Sequence, residues 1–273
     1  MCLLLIAYRQ HPEYPLLLLA NRDEFYQRPA APAHPWPDRE ITAGRDLQAG
    51  GTWLGIAPTG RVAAVTNIRE PGTPEPERVL SRGEIPTQFL GGDQCPQDYA
   101  AALPGARYRG FNAILFDHRR NNVLACAGNR HTPFTFSPGV HGISNGAPDA
   151  PWPKVRHGCQ RLAHLLETLP DRLTADNFVT PALTLLGDDT RAETSQLPDT
   201  GVGPAMESAL SPIFVRIRDG DPAGTDNGLH SGYGTRASTL VAVDRFGNVQ
   251  LWEQTYFDGQ VSGSPRYFHY SAG

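Results

Sequence analysis

The sequence predicts an α+β fold in which helices pack over largely antiparallel sheets. Three observations lead to this prediction. Short apolar segments with strand character lie near both ends of the chain, apolar residues recur at helical spacing in the middle, and polar turns separate the segments. Strands that come in runs, rather than alternating singly with helices, are typical of this class.

The first predicted element is an apolar strand over residues 2–8. Its side chains are apolar on both faces, because alternate residues of a strand point to opposite sides, so we expect both faces to be covered. Residues 11–15 predict a turn, and a second apolar run then ends in the polar residues 21–24, Asn-Arg-Asp-Glu. A hairpin would bring these four residues back toward Cys2.

The next two segments differ in character. Residues 29–38 contain too many prolines for a central strand or a helix interior, and we expect an extended loop at the rim of a site, although a proline-recognition ligand is an alternative. Residues 50–56 and 61–67 predict a strand-turn-strand unit whose second strand ends on Asn67.

The middle and the end of the chain supply helices and further strands. Ser81 and Glu84 have capping-box spacing at the start of a helix. Beyond it we expect helices over 96–103, 151–169 and 174–186, strands over 112–116, 123–127, 140–145, 213–217, 233–243 and 248–257, and a loop over 188–210.

Composition narrows the protein class. The 273 residues contain no linker, which predicts a single domain over 1–273. The net charge of -4 does not favour binding to nucleic acid or to an anionic membrane. The four cysteines lack metal-site or disulfide-framework spacing, so we expect no metal. With neither a signal peptide nor a membrane span in the sequence, we expect a cytoplasmic protein.

Cys2 is a candidate nucleophile because removal of the initiator Met1 would make it the N-terminal residue. The thiolate is the reactive form of cysteine, and the α-amine of the same residue can act as the base. Asp23 would hold this amine. The alternative is that Cys2 is a small buried residue that opens a strand. Candidates for stabilising a developing oxyanion are Asn67, Asn145 and Arg236.

Several motifs together resemble one known family. They are the NRDE sequence at 21–24, GGTWLG at 50–55, TN at 66–67, SNGAPDAPWPK at 144–154 and YGTR at 233–236. The combination is similar to the NRDE family, also called the Transport and Golgi organisation protein 2 family. That family in turn resembles the cysteine N-terminal-nucleophile hydrolases of the choloylglycine hydrolase and penicillin V acylase branch.

The resemblance implies a fold and a site. The fold would be a four-layer αββα sandwich of largely antiparallel sheets. The catalytic residues would be Cys2, Asp23, Asn67, Asn145 and Arg236, and we expect them to converge on one pocket. As substrate-binding residues we expect Asn21, Arg22, Trp53, Trp152 and Lys154, the last being the only lysine of the chain.

One position departs from the hydrolases. They carry an arginine three residues before the aspartate, where this chain has Ala20. Arg22 is adjacent to Asp23 and would point to the opposite face of a strand, so it does not simply replace the missing arginine.

Two functions follow from the resemblance. The first is hydrolysis of a C–N amide bond in an acylated small molecule, with no required cofactor. The second is non-catalytic binding and trafficking of haem or an acyl lipid on the same fold. The sequence contains no haem-attachment motif, so haem would be a non-covalent ligand.

We predict that Met1 is removed in the cell, because the mechanism requires a free amine on Cys2. The intact mass of the expressed protein measures this directly, and Edman sequencing should begin at cysteine. A chain that retains methionine at its start would contradict the nucleophile hypothesis.

Overall fold

Two antiparallel sheets stacked face to face form the centre of the molecule. The structure is a computed structural model that describes residues 2–217, 221, 223 and 232–272, so the expected processing of Met1 lies outside the described residues. The strands are β1 (Cys2–Tyr8), β2 (Leu16–Phe25), β3 (Ala30–Pro35), β4 (Thr42–Asp46), β5 (Leu54–Ile56), β6 (Arg61–Asn67), β7 (Phe111–Asp117), β8 (Val123–Gly128), β9 (Phe134–Thr135), β10 (Gly139–Ile143), β11 (Tyr233–Val243), β12 (Val249–Phe257) and β13 (Gln260–Tyr270).

The helices lie between and around these strands in the chain. They are α1 (Glu84–Leu90), α2 (Pro96–Ala102), α3 (Pro153–Glu167), α4 (Thr180–Leu186) and α5 (Pro204–Ala209), and a π-helical turn at Ala175–Val179 leads into α4. Within the described ranges, no helix has the length and apolar composition that crossing a membrane requires.

Each sheet has a simple order. The first sheet runs β10-β1-β2-β11-β12-β13, and the second runs β3-β4-β5-β6-β7-β8-β9. The strand pairs in both sheets are antiparallel. The hairpin of β1 and β2 therefore lies inside the first sheet, with a neighbouring strand on either side.

Three apolar interfaces separate four layers. Between the sheets, Leu4 and Ile6 of β1 pack in one buried cluster with Val62 and Phe116 of the second sheet. The opposite face of the first sheet packs against α3 and α4, and the outer face of the second packs against α1 and α2. The expected four-layer αββα sandwich is confirmed.

The pattern of β1 explains its central place. Leu3 and Leu5 face the helices, Leu4 and Ile6 face the second sheet, and all four are nearly inaccessible to solvent. This burial on both faces is what the continuous apolar run predicts. The predicted hairpin is confirmed as well, because Cys2 pairs with Arg22.

Some local predictions are wrong. Residues 30–35 form an edge strand rather than a loop, which is the place in a sheet where proline is tolerated. Helix α1 is capped by Gly83 without a side-chain hydrogen bond, so Ser81 forms no capping box. Among the residues that the structure describes, 213–217 form no strand, and their one ladder contact is an isolated bridge from Arg216 to Gly234. The sequence patterns did not predict β4, β9, α5 or β13.

Candidate active site

A cavity of about 370 Å³ opens where strands β1, β2 and β6 come together. Its lining includes Cys2, Arg22 and Asp23 from the first sheet, and Asn67 from the end of β6. Trp53 forms part of the wall. The hairpin register and the stacking of the two sheets therefore bring the residues Cys2, Arg22, Asp23 and Asn67 to one concave surface.

Cys2 is held by its backbone and is half-buried. The Ser144 hydroxyl, just beyond β10, donates a hydrogen bond of 3.1 Å to the Cys2 carbonyl. Burial raises the pKa of the Cys2 thiol, and the Asp23 carboxylate acts in the same direction, whereas the charge of Arg22 and the Asp23 backbone N–H oppose it. The thiol therefore needs a base in order to react at neutral pH.

Asp23 is fully buried and held by β11. The hydroxyl of Thr235 donates to its Oδ1 at 2.7 Å, and the hydroxyl of Tyr233 donates to its backbone carbonyl at 3.1 Å. Burial raises the pKa of the Asp23 carboxyl, and the ammonium of Lys154 is the strongest influence in the opposite direction.

Lys154 lies in the first turn of α3 and is buried. Among the described residues, its Nζ has no hydrogen-bond partner. Burial lowers the pKa of Lys154 to about 8, against the influence of Asp23. The group does not line the Cys2 cavity, and it borders a different cavity beside α3. Its charge therefore acts on Asp23 from the helix side of the sheet.

Asn67 and Asn145 connect the two sheets. The Asn145 amide donates to the Asn67 carbonyl at 2.9 Å, and the Arg69 backbone N–H donates to the Asn145 carbonyl at 2.7 Å. Asn67 lines the Cys2 cavity and also a neighbouring cavity of about 540 Å³, whereas Asn145 lines only the neighbouring one. Asn67 is thus the better placed of the two to face a group bound at Cys2.

Arg22 shares a face with Cys2. Paired residues of an antiparallel ladder lie on the same side, and Ala20 is also on that side because it is two residues earlier. The Arg22 guanidinium lies 4.2 Å from the ring centroid of Trp53, a cation–π arrangement. The Arg22 guanidinium therefore lies on the face where the side chain of an arginine at position 20 would lie. As predicted, Arg22 points away from the face that the Asp23 side chain occupies.

Besides Lys154, three predicted site residues line neither of these cavities. Arg236 is the extra residue of a bulge between Thr235 and Ala237, and its guanidinium donates to the carbonyls of Phe25 and Arg28. It lines neither cavity, because the bulge directs it along the strand ends. Trp152 precedes α3 and packs near Arg69, with 5.3 Å between the guanidinium carbon and the ring centroid.

Asn21 is the third of these residues, and its contacts are internal. Its amide donates to the carbonyl of Leu186 at 2.8 Å and of Ile213 at 2.9 Å. Its Oδ1 accepts from the Ser238 hydroxyl at 2.6 Å. This fully buried side chain fastens the end of α4 to the first sheet and does not line the Cys2 cavity.

Sequence reasoning missed several residues around the site. Tyr233 and Thr235 lie in the YGTR motif, and Ser144 lies in the SNG motif, so the motifs contained a signal that was not used. Nothing in the pattern around Arg82, which lines both cavities, pointed to it. In the part of the chain that the structure describes, no group of three His, Cys, Asp or Glu side chains is arranged to hold a metal.

Comparison with solved structures defines the class of fold. A mutant of the conjugated bile acid hydrolase from Clostridium perfringens has a TM-score of 0.53 and 10% sequence identity, with 100% of this chain and 98% of that chain covered. A further variant of the same hydrolase gives a TM-score of 0.51 at 10% identity. The chain has the N-terminal-nucleophile hydrolase fold.

Comparison with known sequences identifies the family. The family model described as Transport and Golgi organisation 2 matches residues 1–258. The Transport and Golgi organization 2 homolog of Mus musculus is 33% identical over 96% of this chain and 95% of its own length, and the Homo sapiens homolog is 33% identical with the same coverage. The protein of Drosophila melanogaster is 25% identical over 93% of this chain. The chain belongs to the Transport and Golgi organisation 2 family.

Replacing Asn21 by leucine should lower the free energy of unfolding by about 2–4 kcal/mol, because it leaves two buried carbonyls and a hydroxyl without their partner. Urea denaturation measures this. Ser238→Ala, which removes one of the three hydrogen bonds, is the matched control and should cost about 1 kcal/mol. A stable Asn21→Leu protein with weakened ligand binding would instead restore the expected substrate-binding role.

Lys154 should titrate with a midpoint near pH 8 in the folded protein, below its ordinary value of 10.5. Because it is the only lysine, ¹³C-lysine labelling gives a single side-chain NMR signal to follow with pH. Asp23→Asn should lower the midpoint further, since the carboxylate raises it. As pH rises, Lys154 loses its proton near pH 8 in the folded chain and near pH 10.5 in the unfolded chain. Lys154 therefore raises the free energy of unfolding as pH rises through this range. A midpoint near 10.5 would refute the assignment.

Proposed function

We propose that the chain hydrolyses the C–N amide bond of an acylated small molecule, with Cys2 as an N-terminal nucleophile. The observation that carries this proposal is the shared cavity of Cys2, Asp23 and Asn67 at the strand ends. Membership of a family with this fold supports it. No cofactor takes part in the proposed reaction.

In the acylation step, the α-amine of Cys2 takes the thiol proton and the sulfur attacks the amide carbonyl carbon. Asp23 holds the amine, while the side-chain amide of Asn67 stabilises the oxyanion of the tetrahedral intermediate. The C–N bond then breaks, the proton passes from the α-ammonium to the departing amine, and the acyl group remains on sulfur as a thioester.

In the deacylation step, the α-amine takes a proton from water and the oxygen attacks the thioester carbonyl. The C–S bond breaks, the carboxylic acid departs, and the proton returns to the sulfur. The raised pKa of the Cys2 thiol suits a mechanism in which the thiolate forms only as the amine accepts the proton.

A second candidate is non-catalytic binding of haem or an acyl lipid in the same cavity. One observation favours it, namely Ala20 at the position where the hydrolases carry arginine. In either case the partner is a small molecule. All four cysteines are free thiols, which supports a reducing compartment, and we propose the cytoplasm.

Cys2→Ala should abolish hydrolysis of acyl amides, and Asn67→Ala should lower kcat roughly 10²-fold, as for the loss of one oxyanion donor. Release of the free amine from a panel of acyl amides measures both. Cys95→Ala is the matched cysteine control, because Cys95 is half-buried beside α2 and lines neither cavity.

The two candidate functions give opposite results in this assay. The hydrolase proposal would be overturned if no hydrolysis depended on Cys2 while the Cys2→Ala protein still bound haem or an acyl lipid. That result would support the binding function.

A further inference from the structure

Arginine is the most frequent charged residue in the lining of the Cys2 cavity and its neighbour. The two cavities adjoin, since Asn67, Arg82 and Arg109 line both of them. Together their linings contain six arginines, namely Arg22, Arg28, Arg69, Arg82, Arg109 and Arg130, and five carboxylates, namely Asp23, Glu24, Asp46, Glu70 and Glu75. The guanidinium groups outnumber the carboxylates of the linings by one, so the pairing of each arginine decides whether an anionic ligand is favoured.

Five of these six arginines have a carboxylate partner. The pairs are Arg22 with Glu24 at 3.9 Å, Arg28 with Asp46 at 2.7 Å, Arg69 with Glu207 at 2.5 Å, Arg130 with Glu70 at 2.8 Å, and Arg109 with Glu75. Within the described ranges, Arg82 alone of the six has no carboxylate oxygen within 4.0 Å. Its Nη1 donates to the backbone carbonyl of Gly110 at 3.1 Å.

The surroundings of Arg82 disfavour its charge. Burial lowers the pKa of its guanidinium, and the like charge of Arg109 acts in the same direction, while the more distant carboxylates of Glu24 and Glu70 oppose the lowering. A partly desolvated cation with no carboxylate in contact is costly, and an anion bound beside it would offset that cost. The guanidinium presents several parallel N–H donors, a geometry that suits carboxylate and phosphate oxygens.

The backbone fixes Arg82 at this point. The N–H of Thr52 donates to the carbonyl of Gly83 at 3.1 Å. The two segments touch so closely that a Cβ at Gly51 would lie 2.4 Å from the carbonyl carbon of Gly83, so position 51 must be glycine. The GGTW motif thus acts as a backbone support for the loop that contains Arg82.

We propose that Arg82 binds a carboxylate or phosphate group of the ligand whose acyl amide lies at Cys2. The proposal rests on the proposed function of this site for the place of the amide. The substrates would then be acylated small molecules that carry an anionic group. Arg82 would be a binding residue that determines specificity for that group.

Three acyl amides with the same chain test the proposal. They are N-octanoylglycine, N-octanoyl-O-phosphoethanolamine and the neutral N-octanoylethanolamine. Binding is measured by isothermal titration calorimetry with the full chain carrying Cys2→Ala, so that no probe is consumed. We expect at least one anionic probe to bind 10-fold or more tightly than the neutral one, and the tighter of the two identifies carboxylate or phosphate as the group that the site recognises.

Substitution of Arg82 separates its charge from its structural contribution. Arg82→Gln should remove the preference for the anionic probe and leave the affinity for the neutral probe unchanged, while Arg82→Lys should retain part of the preference. Arg120→Gln, an exposed arginine in the turn between β7 and β8, is the control and should change nothing. Thermal unfolding of each variant verifies the fold, and Arg82→Lys serves as the test protein if the glutamine variant is unstable.

Two results would overturn the proposal. One is equal affinity for the neutral and both anionic probes, and the other is an anionic preference that persists without the Arg82 charge. Neither depends on catalysis. A wild-type protein without turnover that still prefers the anionic probe through Arg82 would refute the hydrolase proposal and support this one.

Discussion

The register of the β1–β2 hairpin is the constraint on which the site depends. Pairing Cys2 with Arg22 places both on the face toward the second sheet, and it leaves Asp23 on the helix side, against β11 and near Lys154. A slip of one residue would exchange these faces along the whole strand. The apolar side chains of β1, buried on both sides, oppose such a slip because every one of them would move to the wrong layer.

Charges buried around the site depend on one another. Burial disfavours the charged form of both Asp23 and Lys154. The charge of each residue shifts the pKa of the other back toward its ordinary value. The buried pair of Arg69 and Glu207 adds a compensated set of charges nearby. Buried ion pairs are weak contributors to stability, because the loss of solvation offsets much of their mutual attraction.

The sequence was most informative where a pattern is local. The apolar runs located β1, β2, β7, β8 and β11, and the polar residues in the last part of β2 and at the end of β6 marked the strand ends where the cavity lies. Contacts between distant segments had no such signal. The hydrogen bond from Thr235 to Asp23 depends on the pairing of β2 with β11, and the place of Arg236 depends on a bulge that alternation alone cannot reveal. Arg82 lies in a loop whose position is set by the backbone of residues 51–52.

The bond between Asn145 and the carbonyl of Asn67 also has a mechanical consequence. It joins the end of β6 in one sheet to the segment just after β10 in the other, at the mouth of the cavities. Face-to-face sheets otherwise adhere through interdigitated side chains, which can adjust when core residues change volume. Substitutions deep between the sheets would therefore displace the remote strand ends more than the tethered ends. Core substitutions in this chain should therefore leave the geometry beside Cys2 nearly constant.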